Sequence, residues 1–430
     1  MKNSLKKIIV WVITAEAKLA LKRYKPKVIA VTGSVGKTST KDAIFTAISP
    51  FFHVRKSAKS YNSDIGIPLT ILGLENPWNN YWRWIQNVFR GAWVLIKNEK
   101  YPQWLVLEIG ADRPGEIKRL MKWIHPDISV VTRVGSVPVH VEFYSSAGEV
   151  VKEKGEIIKG LKPDGFAILN VDDDDVKDMR HLTNAKTITF GIKNKADISV
   201  SYPVINYDES GYPIGMSAKI DVMGNSFPVV LKGSLGIQQI YPIAASFAIA
   251  FAKGLNLLEV SNSFLSHKAP KGRVKILKGI KGSTVIDDSY NSSPTAVEEG
   301  LNILGEIKTT GKKIVILGDM LELGKHSSDE HRRIGEIAGK VADIVIGVGI
   351  RAREFANAAQ VAGVSKDNVF FVDDAKQAGE TASRLIGSHD IVYVKGSQGM
   401  RMERTVEKIM EEKDKKTELL VRQEKEWLAR

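Results

Sequence analysis

The chain has 430 residues, 43% hydrophobic and 26% charged, enough for two or three domains with full cores and ordinary for a globular protein. It contains no cysteine, which excludes disulfides, thiolate metal sites and cysteine nucleophiles and fits a reducing cytoplasm. A net charge of +13 favours polyanionic partners (nucleotides, phosphorylated sugars, nucleic acid or anionic lipid) without choosing among them.

In chain order, the first feature is a basic segment with an apolar run from Ile8 to Ala15. The run is far short of the ~18–20 apolar residues that span a bilayer. It faintly resembles a signal peptide, but cleavage near Ala15 or Ala17 would leave a nucleotide loop in a compartment without ATP. It therefore reads as an amphipathic helix. Leu5, Ile8, Ile9, Val12, Ile13, Leu19 and Ala20 fall near one face, with Lys2, Lys6, Lys7, Lys18, Lys22 and Arg23 elsewhere.

Lys27 to Val31 is a short β-branched run, so a buried strand. Gly33-Ser34-Val35-Gly36-Lys37-Thr38-Ser39 follows, and Lys37 to Ile48 has a helical pattern. The motif is shorter than the common phosphate-loop signature, because Val31 stands where that pattern has Gly. Its physics is intact. The glycines let backbone N–H groups turn toward phosphate oxygens, Lys37 reaches the terminal phosphates, and the Thr38 hydroxyl is placed to ligate Mg²⁺. A plain glycine turn would not need Gly-Lys-Thr-Ser after a strand.

Residues 76–104 hold five of the eight tryptophans. Ile85, Val88, Phe89, Ala92 and Ile96 trace one helical face, with Arg83, Arg90, Lys97 and Lys100 interspersed. Two readings stay open: a helix packed on the domain core, or, together with residues 2–23, a peripheral membrane-facing or lipid-substrate patch. Glu108 ends the strand Leu105 to Leu107 and is either a Mg²⁺ ligand or a helix-capping carboxylate; its place beside the loop favours metal. His140 is a lone histidine after a Gly-Ser-Val-Pro turn, and Lys154, among Lys152, Glu153 and Glu156, reads by itself as a solvated charge. The run Asp172–Asp175 reads as a solvated turn in preference to a metal site.

Strands at 128–131 and 167–170, with the helix from Ser146 to Lys159, continue the α/β alternation. Residues 198–231 alternate in polarity and predict a partly antiparallel extension; 242–253 predict a tightly packed small-residue helix. Ala269-Pro270-Lys271-Gly272 reads as a hinge. A second alternation follows, with strands at 283–286, 313–317, 343–348, 369–372 and 391–394. Arg273 after the hinge suits developing phosphate charge, or is a surface arginine; Asp288 suits ribose hydroxyls; Asp319, Lys395 and Ser397 are strand-end polar groups. The predicted class is α/β: a helix at 1–25, a P-loop central domain with a mostly parallel sheet at 26–269, a Rossmann-like C-terminal domain at 270–410, and a charged helical tail at 411–430.

The loop Thr32 to Ser39 resembles the ATP loop of the Mur ligases, the amide-forming enzymes of peptidoglycan precursor synthesis. The resemblance runs from about residue 25 to 410 through Asn62–Thr70, Glu108–Ile117, Lys154–Ile157, Asp287–Asn291, Gly318–Gly324 and Lys395–Ser397. It implies an ADP-forming peptide ligase that uses ATP and Mg²⁺, acts as a monomer in the cytoplasm, and joins a UDP-sugar peptide to a dipeptide. Gly33, Ser34, Gly36, Lys37, Thr38, Ser39, Asn62, Arg273 and Asp288 would hold ATP. Thr38, Glu108, His140 and Lys154 would hold metal, Lys154 as a carbamate. Lys37, Lys154, His140 and Arg273 would carry the chemistry, and Asn291, Asp319, Lys395 and Ser397 would surround the incoming amine. Two departures stand out: about 25 residues precede the loop where the family has a UDP-gripping domain, and Gln238-Gln239 replaces the family's histidine–asparagine pair. A ligase of polyglutamate or pseudomurein type with another acceptor is the first alternative. A nucleotide-regulated binding protein is the second; no nucleic-acid motif accompanies the basic charge, so no nucleic acid is expected.

Overall fold

The computed structural model describes residues 3–428 except 59–61, 63, 79, 98, 99, 136, 137, 139 and 140. Two sheets organise the chain. The first has nine strands in the order β2-β3-β1-β4-β5-β6-β7-β8-β9. These are β1 (Lys27–Thr32), β2 (Val54–Lys56), β3 (Trp104–Glu108), β4 (Ile128–Val131), β5 (Phe166–Asn170), β6 (Lys186–Gly191), β7 (Ile198–Tyr207), β8 (Pro213–Val222) and β9 (Asn225–Lys232). The pairs from β2 across to β7 are parallel. Val28 to Val31 and Trp104 to Glu108 are buried throughout, as strands covered on both faces must be. The predicted extension is present, but its antiparallel strands β7, β8 and β9 continue the same sheet.

Helices α1 (Asn3–Tyr24), α2 (Lys37–Ile48), α3 (Gly66–Leu72), α4 (Tyr81–Ile96), α5 (Glu116–Met121), α6 (Ala147–Lys159), α7 (Asp174–Asp178), α8 (Ile237–Ala252) and α9 (Leu257–Ser263) belong to this half. On one face α2 packs on α8, whose Ala244, Ala245 and Ala248 permit close approach. On the other face Ile9, Ile13, Ile67, Leu105, Leu107 and Ile157 share a second core. The small-residue helix starts earlier than predicted, at Ile237, and contains Pro242.

The second sheet has the order β10-β11-β15-β12-β13-β14. Its strands are β10 (Lys275–Lys278), β11 (Thr284–Asp288), β12 (Lys313–Gly318), β13 (Ile344–Val348), β14 (Val369–Val372) and β15 (Ile391–Lys395). All pairs are parallel except β10 with β11. Sequence patterning missed β10, a four-residue edge strand with no alternation of its own. Helix α10 (Pro294–Glu306) follows β11, capped by the Ser293 side chain.

Three expectations need correction. The buried face of α1 is Ile9, Ile13, Glu16, Ala17 and Ala20, leaving Ile8 and Leu19 exposed. In α4, Trp84, Asn87 and Gly91 are buried and Val88, Val94 and Leu95 pack against the second core, so the predicted face is split: Val88 turns inward, while Ile85, Phe89 and Ile96 are exposed. The C-terminal segment is not a continuous charged helix: helices 403–409, 416–419 and 425–428 are interrupted, and Leu420, Val421 and Arg422 are buried. Arg422 donates to the carbonyls of Ser289 (3.2 Å) and Tyr290, clamping the loop after β11.

Candidate active site

Strand β1 lies between β3 and β4, so connections leave it in both directions and a crevice opens beyond its carboxyl end. Val31 of β1 is in register with Glu108 of β3, which sets the phosphate loop beside that carboxylate. Gly33 has φ +142°, and a Cβ there would overlap the Thr132 hydroxyl; Gly36 has φ +86° and starts α2. The N–H groups of Ser34 and Val35 donate to the Arg133 carbonyl at 2.6 and 3.2 Å, tying the loop to the segment after β4. Lys37 Nζ donates to the Gly33 carbonyl at 2.7 Å, curling over its own loop. Burial lowers its ammonium pKa, Glu108 opposing the shift and Arg273 adding to it.

The Thr38 hydroxyl donates to Glu108 Oε1 at 3.2 Å. Glu108 is 1% exposed, and its Oε2 is buried without a hydrogen-bond partner, though Lys41 Nζ stands 3.7 Å away. A buried carboxylate oxygen with one lone pair set open, next to a P-loop hydroxyl, is a hard-oxygen donor set suited to a divalent cation. Asn62 backs this corner: its carbonyl accepts from Gly110 N at 3.0 Å, two residues beyond Glu108. Ser39 is buried in the first turn of α2.

Lys154 is not the solvated charge that its neighbours in sequence suggest. Helix α6, capped by the Ser146 side chain, buries it. Its pKa is lowered to about 7, first by burial and then by the nearby Lys37 ammonium, against Glu153 and Asp112. Neighbouring Glu153 accepts from the N–H groups of Gly115 (2.7 Å) and Ile117 (2.6 Å), locking the start of α5 beside the Glu108 loop. His140 lies outside the described residues.

The second sheet presents its strand ends to this crevice, but its polar groups hold one another. Asp288 and Lys395 are register partners, both buried, with Nζ 2.6 Å from Oδ2. Lys395 also donates to the carbonyls of Asn291 (2.8 Å) and Asp288 (3.4 Å), so all three ammonium hydrogens are engaged. Burial lowers its pKa, and Asp288 opposes that. The Asp288 carboxylate accepts from Tyr393 OH at 2.9 Å and from Val274 N at 3.3 Å. Lys395 thus organises the far wall of the crevice and does not offer a free cation to a carboxylate; Asp288 fixes the backbone next to Arg273. Asp319 accepts from Ala352 N (2.8 Å), Ser397 Oγ from Leu321 N (2.8 Å), and Asn291 Oδ1 from Gln398 N (3.1 Å). These residues are together, as predicted, but their side chains build loops.

Arg273 is positioned from both halves. Its guanidinium lies 4.2 Å over the Tyr290 ring, and its carbonyl accepts from Gln239 Nε2 at 3.0 Å. An ion pair, Arg133 with Glu299 of α10, also joins the halves. Both line a narrow, open pocket against Val35 and Gly36, with Gln238, Tyr241 and Phe190. Both amide atoms of Gln238 are buried there without partners. Unpaired buried amides are rare, and this one lines the pocket with its donor and acceptor both unused among the described residues. Sequence reasoning missed Lys41, Arg133, Glu299 and Tyr241; an ion pair across 166 positions leaves no local pattern. Asp172 and Asp173 also differ from expectation. Asp172 accepts from the N–H groups of Ile192, Lys193 and Asn194 and from Tyr241 OH, while Asp173 accepts from those of Val134, Gly135 and Val176. They shape the loops around the pocket.

Residues 31–250 match the Mur ligase middle domain, and residues 272–398 match the Mur ligase glutamate ligase domain. The UDP-N-acetylmuramoyl-tripeptide–D-alanyl-D-alanine ligase of Bacillus subtilis is 29% identical over 402 residues, covering 92% of this chain and 78% of that protein. The Escherichia coli protein of the same name is 26% identical over 389 residues, covering 90% and 77%. The crystal structure of MurF ligase from Thermotoga maritima in complex with ADP superposes with a TM-score of 0.76 at 28% identity, covering 93% of this chain and 83% of that one. With the middle-domain match alone covering over half of its length, and the loop, metal corner and facing second sheet in place, this chain belongs to the Mur ligase family of ATP-dependent, ADP-forming ligases.

Proposed function

We propose that the enzyme joins D-alanyl-D-alanine to a UDP-muramoyl-tripeptide, the reaction named for its Bacillus subtilis and Escherichia coli relatives. The observation that carries the reading is the convergence of Lys37, Lys154 and Arg273 with Thr38 and Glu108 in one crevice between two α/β units. Two positive side chains, Lys37 and Arg273, around an open carboxylate corner suit a polyphosphate with its cation and a second anion, the carboxylate to be activated.

In the first step the acceptor carboxylate oxygen attacks the γ-phosphorus of ATP, the bond to the β-phosphate oxygen breaks, and ADP leaves. The product is an acyl phosphate. Lys37 swings from the Gly33 carbonyl onto the transferring phosphoryl group, and Arg273 neutralises charge from the far wall. The neutral amine of the dipeptide then attacks the acyl carbon, phosphate departs with the bridging oxygen, and a proton is lost to solvent. Thr38 and Glu108 fit Mg²⁺, which supplies electrostatic stabilisation of the transferring phosphate when bound. Gln238 donates to and accepts from the adenine edge in the pocket beside Gly36. Closure of residues 270–410 onto 26–269, latched by Arg133 and Glu299, keeps water from the acyl phosphate.

Lys154 acts as a carbamate. With its pKa near 7, a large share of the side chain is neutral amine at neutral pH, and that amine adds to CO₂ with release of one proton. The cation becomes an anion beside Lys37, replacing repulsion by attraction. The test is mass spectrometry of products from UDP-muramoyl-tripeptide, D-alanyl-D-alanine and ATP. The expected product is the pentapeptide with stoichiometric ADP and phosphate. Product with a different acid or amine, and none with this pair, would replace the substrates and leave the ligase chemistry standing.

A further inference from the structure

Helices α1 and α4 pack on each other at the edge of the first unit, and each carries, besides its buried face, a second apolar stripe that points outward. In α4, Trp82, Ile85, Phe89, Trp93 and Ile96 recur at helical spacing, with exposures of 76, 37, 70, 59 and 70%. The face toward the protein holds Trp84, Asn87 and Gly91, with Val88, Val94 and Leu95 packed against the second core. A surface helix buries one apolar stripe and turns polar residues outward; α4 is apolar on both faces. In α1, Ile8, Trp11 and Leu19 lie on one exposed stripe, Trp11 at 71%. All three exposed tryptophans of the chain, Trp11, Trp82 and Trp93, sit here.

The charge around the stripes is of one sign. On α1, exposed Lys7, Lys18 and Lys22 flank the stripe; on α4, exposed Arg83 and Arg90 do so. Glu16 is the sole acidic residue in the two helices, and it is buried against Gly91, where a Cβ would collide with it. Burial raises its pKa to about 7, which removes much of even that negative charge near neutrality. The pair is held as a platform: Tyr24 OH donates to the Val94 carbonyl at 2.5 Å and stacks on Tyr101, and the Trp84 indole donates to the Trp78 carbonyl at 2.9 Å.

We propose that the outer face of α1 and α4 docks the enzyme on an anionic lipid bilayer, its tryptophans and phenylalanine at the acyl boundary and its basic flank among the headgroups. Among the described residues no helix is long and apolar enough to cross a membrane, so the contact is interfacial. Indole rings and basic side chains favour that boundary, and each basic residue near an anionic surface adds to the attraction. A second copy of this chain fits the face less well. Self-pairing would cover the stripes but set basic flank against basic flank, with no exposed carboxylate on either helix to answer them. The inference does not depend on which acceptor the ligase uses.

The experiment is cosedimentation of the full chain with vesicles of phosphatidylcholine alone or mixed with phosphatidylglycerol, with light scattering of the free protein. The expected result is binding to the mixed vesicles, little to the neutral ones, loss at high salt, and a monomer in solution. The triple variant W82S/F89S/W93S loses vesicle binding yet keeps its circular dichroism and its ADP release with soluble substrates. The double variant R83Q/R90Q partitions roughly tenfold to thirtyfold more weakly onto the anionic vesicles. Absence of wild-type binding in a ligase-active sample would overturn the proposal. So would unchanged binding by the triple variant, or a wild-type dimer that the triple variant converts to monomer.

Discussion

The two strand-end clusters that face each other across the crevice are built on opposite plans. At the ends of β1 and β3, charged groups are wholly or partly buried but left open: Lys37 donates to its own loop's carbonyls, Glu108 Oε2 has no hydrogen bond among the described residues, and Lys154 is crowded by another cation. At the ends of β11 and β15, Asp288, Lys395, Tyr393 and Asn291 satisfy one another. A site that leaves buried charge unanswered awaits a charged ligand; a site that closes its own network is a rigid wall. Chemistry is therefore assigned to the first cluster and alignment to the second. Removing a member of the first should cost activity, and removing a member of the second should cost stability.

The largest expected effect tests the first half of that contrast. Lys37→Ala should lower acceptor-dependent ADP release by about a thousandfold or more, since a positioned cation on a transferring phosphoryl group contributes several kcal/mol. Its thermal midpoint should hold or rise, because a half-buried, partly desolvated ammonium is removed. Substantial turnover in this variant would break the comparison.

Lys154→Ala should reduce turnover by about a hundredfold, comparable to loss of one electrostatic donor. The wild-type rate should also fall as pH drops below 7, with recovery on adding bicarbonate near neutrality. The sign follows from the lowered pKa: above about 7 the folded-state amine is neutral and able to add CO₂, below it the amine is protonated and inert. Between 7 and the ordinary 10.5 the unfolded chain binds the extra proton, so this group makes stability rise with pH in that window. A ¹³C carbamate signal from labelled bicarbonate, absent in the variant, distinguishes modification from general loss of charge.

Lys395→Met tests the other wall. It strands Asp288 in a buried site, and the loss should be about 3–5 kcal/mol, read as a lowered denaturation midpoint. Converting both partners, Asp288→Asn with Lys395→Met, should recover part of that stability. A Lys395→Met protein of normal stability but a large rise in the dipeptide KM would instead give Lys395 a direct substrate role. The smallest effect belongs to Gln238→Ala. The ATP KM should rise by about tenfold, one or two hydrogen bonds to a buried base, with kcat changed little.

Much of this architecture was legible in the residues. Apolar runs at 27–31, 105–107, 313–317 and 391–394 are strands buried on both faces, and the loop at 33–39 sits between strand and helix. What was not legible depends on distance in the chain. Lys154 reads as solvated because its sequence neighbours are charged, whereas its burial comes from packing α6 on the first sheet. The Arg133–Glu299 latch and the three acceptors on Lys395 join residues more than a hundred positions apart. The stripe of α4 was visible, but periodicity gives a face without saying which way it points.

The central claim, that the open cluster makes an acyl phosphate, is tested most directly by isotope transfer. With both oxygens of the acceptor carboxylate labelled as ¹⁸O, each turnover should place one ¹⁸O in the released phosphate, with ADP as the nucleotide product. Unlabelled phosphate, or label recovered in AMP, would contradict it.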